Sequence, residues 1–325
     1  MLSLTQTDRA IERFFGSQPS GLKVLSGGRN NRVLQASHPR LGNVVIKDYF
    51  REIPDSLERL RREWNYLSHL KKLQIPDVPL PLFKDTKNGF SVFSYVKGRK
   101  LLCSEITDAY IVCAAQHIVK LSQMSNGRID MAKGTHSTLA GHIGEVRLRM
   151  NRLREVSERG FRDIALREFL TNYLEPLWEA KLAKVGKKDE VKFETIKCNL
   201  SPSDFGFHNI LLDKKNLSFI DFEYAGIDDL AKLTTDFMLA PSVPITIDHS
   251  YIFREYLMSH ADLDCNFSER VDILYPIAQV KWICIILNDF IDLESDRKRF
   301  ADHTKNSDRL EKQLALARLR LSQVI

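Results

Sequence analysis

Asp204 and Asn209 stand in a loop that runs straight into the apolar segment Ile210-Leu-Leu212, and Asp221 closes the segment Leu217-Ser-Phe-Ile220. Lys214-Lys-Asn216, between the two apolar runs, reads as a hairpin turn. A hairpin brings the end of its second strand back to the start of its first. Asp221 therefore returns beside the loop that carries Asp204 and Asn209. Two carboxylates and one amide oxygen are drawn to a single place, and this convergence constrains the fold more than any other feature of the chain. An Asx-turn loop followed by a hairpin with polar ends is the plainer alternative.

Hard oxygen donors gathered in this way suit phosphoryl transfer. One carboxylate orients an attacking hydroxyl and accepts its proton. The other carboxylate and the amide oxygen hold Mg²⁺ against nucleotide phosphates. Protein kinases place Asp and Asn at the same spacing, before a metal-binding Asp in an Asp-Phe-Gly turn. Here the turn reads Asp221-Phe-Glu223. A nucleotide site also needs a strand lysine for the phosphates, a helix acid to orient it, and a small-residue loop. Lys47 lies in the β-branched run Asn43-Val-Val-Ile-Lys47, Glu63 on the following helix, and Ser26, Gly27 and Gly28 between the first two strand candidates. Singly, each reads as a solvated lysine, a surface acid or a plain turn. The order in which they precede Asp204, Asn209 and Asp221 is what gives them weight.

With those pieces in place the sequence resembles the aminoglycoside phosphotransferase and choline kinase-like superfamily. The matching segments are Leu25-Ser-Gly-Gly-Arg-Asn-Asn31, Val45-Ile-Lys47, Arg62-Glu63, Phe93-Ser-Tyr-Val-Lys-Gly98, Ser203-Asp204 through Asn209-Ile-Leu211, and Phe219-Ile-Asp-Phe-Glu223. Gly226-Ile-Asp-Asp-Leu-Ala231 and the residues up to Asp236 resemble that family's continuation. The resemblance implies an α+β, two-lobed, protein-kinase-like fold with ATP and Mg²⁺ between the lobes. Residues 1–96 would form the N-terminal nucleotide-binding lobe, and residues 97–325 the helical lobe with the catalytic loop and metal-binding turn. Asp204 is then the catalytic base, Asn209 and Asp221 the metal ligands, and Lys47 with Glu63 the phosphate clamp. Ser26, Gly27 and Gly28 cover the phosphates, and the backbone of Ser94 to Val96 meets the adenine. One departure stands out. The family commonly writes His-Gly-Asp where this chain has Pro202-Ser-Asp204; His208 either fills part of that space or, as a lone loop histidine more often does, simply makes a hydrogen bond.

The pattern along the chain agrees with sheet, helix and sheet, then helices, a β-turn-β insert and helices again. Strands are expected at Leu22–Leu25, Val33–Ser37, Asn43–Tyr49 and Gly89–Val96. The first long helix opens after Pro54, with Leu57, Leu60, Trp64, Leu67 and Leu70 on its apolar face, and Pro76, Pro79 and Pro81 end that pattern. Residues 100–192 read as mainly helical, and Phe193 to Phe222 as a β-rich passage.

A net charge of +6 raises nucleic acid as a partner, but its distribution argues against one. Val191 to Asp296 holds 8 Lys and Arg against 18 Asp and Glu, so that stretch is acidic and the excess cation lies elsewhere. The basic runs, Arg147 to Arg154 and Arg309 to Arg320, interleave charge with leucine as solvated helix faces do. Five scattered cysteines without a CxxC pair fit a reducing compartment. Neither a leader nor a membrane span is expected, because the apolar run Val280–Leu293 is short and carries Lys281, Asn288, Asp289 and Asp292. The expectation is a cytoplasmic enzyme without membrane or nucleic-acid partners.

The acceptor is expected to be a small-molecule hydroxyl of the amino sugar, sugar or amino alcohol class. Glu223, Asp228, Asp229 and Asp236 would favour a cationic or hydroxyl-rich ligand if they lined its pocket, and would otherwise cap helices. Trp282, Tyr251, Tyr256 and Tyr275 would stack against it, or else belong to the core. Two further readings stand beside this one. An inactive kinase-like binding module is motivated by the Pro202-Ser-Asp204 departure. A protein kinase is opposed by the lack of an Ala-Pro-Glu-like segment after Asp221.

Overall fold

The first sheet has five antiparallel strands in the order β1-β2-β3-β5-β4: β1 (Ser20–Val24), β2 (Asn31–His38), β3 (Gly42–Tyr49), β4 (Pro81–Asp85) and β5 (Phe90–Ser94). The structure, a computed structural model, describes residues 6–16, 20–25, 31–49, 56–158, 164–291 and 307–324. Alternation along β3 assigns its two faces. Val44 and Ile46 point into a small core with Leu34, Ala36, Phe90 and Val92, capped by Ala10, Ile11 and Phe15 of α1 (Gln6–Phe15). Lys47 and Tyr49 point to the other face, toward α2 (Ser56–Lys72). Pro81 opens β4 rather than separating elements, because at a sheet edge its missing N–H costs no ladder bond.

The buried stripe of α2 is Ser56, Arg59, Leu60, Glu63, Tyr66, Leu67 and Leu70. This corrects the expected apolar face, since Leu57 is 38% exposed and its place inside is taken by Arg59 and Glu63. The helix turns two charged residues inward because both have partners across the cleft. Its C-terminal half continues into the main core, where Tyr66 stacks on Phe222.

Beyond the connector 95–98 the chain is mostly helical: α3 (Asp108–Ser122), α4 (Leu139–Glu158), α5 (Ile164–Phe169), α6 (Glu175–Leu182), α7 (Leu230–Leu239), α8 (Ile247–His260), α9 (Phe267–Ile286) and α10 (Ser307–Ser322). The strands set into it are β6 (Arg99–Lys100), β7 (Cys198–Ser201), β8 (Ile210–Asp213), β9 (Asn216–Phe219) and β10 (Gly226–Asp229). The expected hairpin is β8–β9, with Ile210 opposite Phe219 and Asp213 opposite Asn216. β6 adds to it through Lys100 opposite Leu211, and β10 pairs with β7. The chain is thus an α+β, two-lobed protein-kinase-like fold.

Beneath the hairpin, Phe205, Phe207, Phe237 and Phe253 form an aromatic cluster, with Phe237 and Phe253 stacked 3.9 Å apart. His117 stacks on Phe219 at 3.8 Å. Burying each phenylalanine contributes about 1.5–3 kcal/mol, so the loop rests on a stiff floor. The stretch Phe267–Phe290 is long and apolar enough to cross a bilayer, and 56% of its most apolar window is buried inside the helical lobe. All five cysteines are free thiols.

Candidate active site

Lys47 Nζ donates to both oxygens of Glu63, at 2.8 and 3.0 Å, and to Asp221 Oδ1 at 2.6 Å. The lysine of β3 thus bridges the helix acid of one lobe and the hairpin acid of the other. Burial pulls its pKa down, but the carboxylates of Asp221 and Glu63 outweigh this and hold it well above the lysine range. Glu63 is fully committed. Its Oε2 also accepts from Tyr49 Oη at 2.5 Å, and its Oε1 from the N–H of Phe222 at 3.1 Å. A third of the Asp221 side chain opens to the cleft. Burial pushes its carboxyl up to about 6, with Glu223 and Glu63 adding to the rise and Lys47 opposing it. Asp221 sits at φ 69°, a left-handed conformation that a non-glycine residue adopts only when its surroundings enforce it.

The catalytic-loop candidates adjoin this group. Ile220, next to Asp221, donates its N–H to the Asn209 carbonyl at 3.0 Å. Asn209 Nδ2 donates to the Asp204 carbonyl at 3.0 Å and to Asp204 Oδ2 at 3.3 Å. Asp204 Oδ1 faces His208 Nε2 at 3.1 Å. Ser203, at φ 64°, takes the tight turn before Asp204. Lys47, Glu63, Asp204, Asn209 and Asp221 therefore share one cleft. Ser26, Gly27 and Gly28 lie outside the described residues. The N–H of Ser94 is spent on the Leu80 carbonyl, and its hydroxyl accepts from the N–H of Leu80. Val96 follows in the connector and has no backbone partner among the described residues.

The donor set fits Mg²⁺. The Asn209 amide nitrogen is committed to Asp204, which leaves its oxygen for a cation, and Asp221 supplies an anionic oxygen from the neighbouring strand end. Two protein oxygens are what Mg²⁺ characteristically takes beside phosphate and water.

The partners of Glu223, and Lys100, were not singled out from sequence. Glu223 is buried against Asn31 Nδ2 at 2.6 Å and Arg59 at 3.4 Å, so both β2 and α2 grip the residue after Phe222. Lys100 donates its Nζ to the His208 carbonyl, which lies between Asp204 and Asn209. Burial lowers its pKa, while Asp221 and Asp204 pull the other way. The only sequence signal was a run of cations around Gly98, which reads as an ordinary basic loop.

Of the two readings open for Asp228, Asp229 and Asp236, the internal one fits their partners. Asp228 holds Lys232 and Thr135, each at 2.8 Å. Asp229 caps α7 through the N–H of Ala231 and pairs with the buried Arg270 at 2.8 and 3.0 Å. Asp236 takes Lys281 and the Trp282 indole N–H. Of the four aromatic candidates, Trp282 and Tyr275 line a cavity, Tyr251 is exposed, and Tyr256 stacks on His260.

A family model described as the phosphotransferase enzyme family matches residues 21–243, which run from the first strand to just past α7. The chain belongs to that family. Its solved phosphotransferase neighbours share the fold across nearly the whole chain. The complex of gentamicin with APH(2″)-IIa superposes with a TM-score of 0.63 at 16% identity, covering 98% of this chain and 97% of that one. Choline kinase from Cryptosporidium parvum gives 0.57 at 13% identity, with 93% and 90% covered. Ethanolamine kinase from Plasmodium vivax gives 0.60 at 12%, with 93% and 81% covered. No curated protein matches the sequence. As a member of this family the chain is a phosphotransferase.

Proposed function

We propose that this phosphotransferase uses ATP with Mg²⁺ and delivers the γ-phosphoryl group to a hydroxyl of a small molecule. The observation that carries this reading is the bridge Glu63–Lys47–Asp221, closed at 2.8 and 2.6 Å beside a loop that presents Asp204 and Asn209. A purely structural cleft has no need of a lysine shared between two acids from different lobes. Structural neighbours described as an ATP ternary complex and as ADP-bound support the choice of nucleotide.

In this reading Lys47, oriented by Glu63, neutralises the α- and β-phosphates. The amides of Ser26, Gly27 and Gly28 cover them, and the backbone of Val96 meets the adenine edge. Asn209 and Asp221 hold the metal, which when bound neutralises charge on the phosphate oxygens. Asp204 orients the acceptor hydroxyl and takes its proton, steadied by His208 and Asn209. Lys100 adds a second cation over the loop. Most of the rate enhancement then comes from alignment and from neutralising charge that develops on the transferring group.

The test is acceptor-dependent ADP release by the purified protein with Mg·ATP, screened over small hydroxylated compounds. Turnover that disappears in Asp204→Asn supports the reading. Unchanged turnover in that variant removes Asp204 from its role.

A further inference from the structure

A cavity of about 430 Å³ opens in the helical lobe between the end of α7, the start of α8, α9 and α10. That size is in the range of sites that hold a small organic ligand, roughly 300–1,000 Å³. The chain segment that opens the cavity wall lies against the catalytic loop. Phe237 packs on Phe205 and Phe207, at 5.5 and 5.9 Å, and the cavity wall begins at the very next residue, Met238. Gly206 lets the loop approach closely, since a Cβ there would come 3.2 Å from that of Ala240 and 2.8 Å from His208 Nδ1. His208 in turn faces Asp204. No side chain at position 206 separates the loop from Ala240, which sits between Leu239 and Pro241 of the cavity wall.

The lining is amphipathic. Pro241, Ile245, Ile283, Leu316 and the Trp282 indole supply its apolar surface, and Ile247 and Leu319 stand exposed at its edge. Ser250, Tyr275, Gln279 and Gln323 supply neutral hydrogen-bonding groups. Among the described residues none of the lining groups is an Asp or Glu, and the charged group that is present is the guanidinium of Arg320. The nearest acid on α7, Asp236, has its charge cancelled by Lys281 at 2.6 Å and Lys232 at 3.7 Å, and it also fixes the Trp282 ring. An ammonium entering this space would lose water and meet a guanidinium instead of a carboxylate. An apolar body would meet branched aliphatic side chains and an indole face.

We propose that this cavity is the acceptor site and takes a hydroxyl compound with an apolar body and no positive charge, any anionic group lying against Arg320. The proposal rests on the phosphotransfer reading and narrows it away from amino sugars and amino alcohols.

The test uses hexyl β-D-glucoside as the apolar-bodied probe, with kanamycin and choline as cationic ones. Binding is read from the quench of Trp282 fluorescence, with Trp282→Phe as the blank, since the chain has only three tryptophans. Transfer is read separately as ADP release. The expected result is a saturable quench by hexyl glucoside that weakens at least tenfold in Leu319→Glu, a rim substitution that leaves the melting temperature in place. ADP release should follow hexyl glucoside and not kanamycin or choline. ADP release with kanamycin or choline at a lower KM than with hexyl glucoside would overturn the proposal and leave phosphotransfer standing. A hexyl glucoside quench that is absent, or unchanged in Leu319→Glu, would also overturn it. Quench by hexyl glucoside without ADP release from any acceptor would instead remove the phosphotransfer reading and keep the cavity's preference.

Discussion

Glu63 accepts the backbone N–H of Phe222 at 3.1 Å with one oxygen of the carboxylate that also holds Lys47. The helix acid therefore reports on two things together, the placement of the lysine and the conformation of the turn after Asp221. Glu63→Gln should loosen both. The ion pair has side chains less than a tenth exposed, and removing one partner of such a pair costs about 3–5 kcal/mol. The expected outcome is a lower midpoint in denaturant together with a KM for ATP raised about tenfold or more. A change in KM without loss of stability would mean that Phe222 holds its turn unaided.

Asp204→Asn keeps the size of the side chain and its approach to His208 while removing the proton acceptor. Turnover should fall by about 10²–10⁴-fold. Nucleotide affinity, measured by titration with Mg·ATP, should stay close to wild type because Lys47, Glu63 and Asp221 are untouched.

Lys100→Met removes the ammonium that donates to the His208 carbonyl. If the cation neutralises charge on the transferring group, kcat should drop about 10- to 100-fold with little change in the KM for ATP. A drop in stability without a change in kcat would reduce Lys100 to a loop brace.

Stability should fall as the solution is acidified, through two buried histidines. Burial, with Lys120 nearby, lowers the pKa of His117 to about 3, and burial beside Lys281 does the same for His142. Between that value and the ordinary pKa near 6.5 the unfolded chain binds protons that the folded chain refuses. Stability from these groups is therefore fully present above about pH 6.5 and is lost as pH falls, by about 1.4 kcal/mol per pH unit for each histidine. His117→Phe, which keeps a ring on Phe219, should make the acid limb shallower by one proton in chemical-denaturation series across pH 4–7.

Asp204, Asn209 and Asp221 were legible in the sequence because a short hairpin is local, and its turn residues announce it. Lys47 and Glu63 were legible through their order along the chain, although each alone reads as surface. The partners of Glu223 were not, because Asn31 and Arg59 lie 192 and 164 positions away and nothing local marks them. Arg59 lies off the apolar face expected for α2, yet it is 1% exposed. Of the two readings left open for the acids, the helix-capping one fits Asp229. What stayed hidden were their cationic partners: Asp229 is matched by Arg270 from α9, and Asp236 by Lys281. Charge density along a stretch says nothing about which charges the fold will cancel.

The pair Arg270–Asp229 has both side chains almost wholly enclosed. Arg270→Met should cost about 3–5 kcal/mol by leaving Asp229 uncompensated, whereas replacing both residues with apolar ones of similar size should cost much less. Denaturant midpoints of the single and double variants measure the difference.

The two-residue strand Arg99–Lys100 lies against Leu211 and Leu212 of the catalytic hairpin, and Gly98 packs so tightly there that any side chain would collide with Leu211. The connector is thereby riveted to the helical half from Gly98 onward. Lys100 and the loop that carries Asp204 are fastened to one another twice, through the β6–β8 pairing and through the His208 carbonyl, so a cation and a carboxylate from distant parts of the chain keep a set spacing.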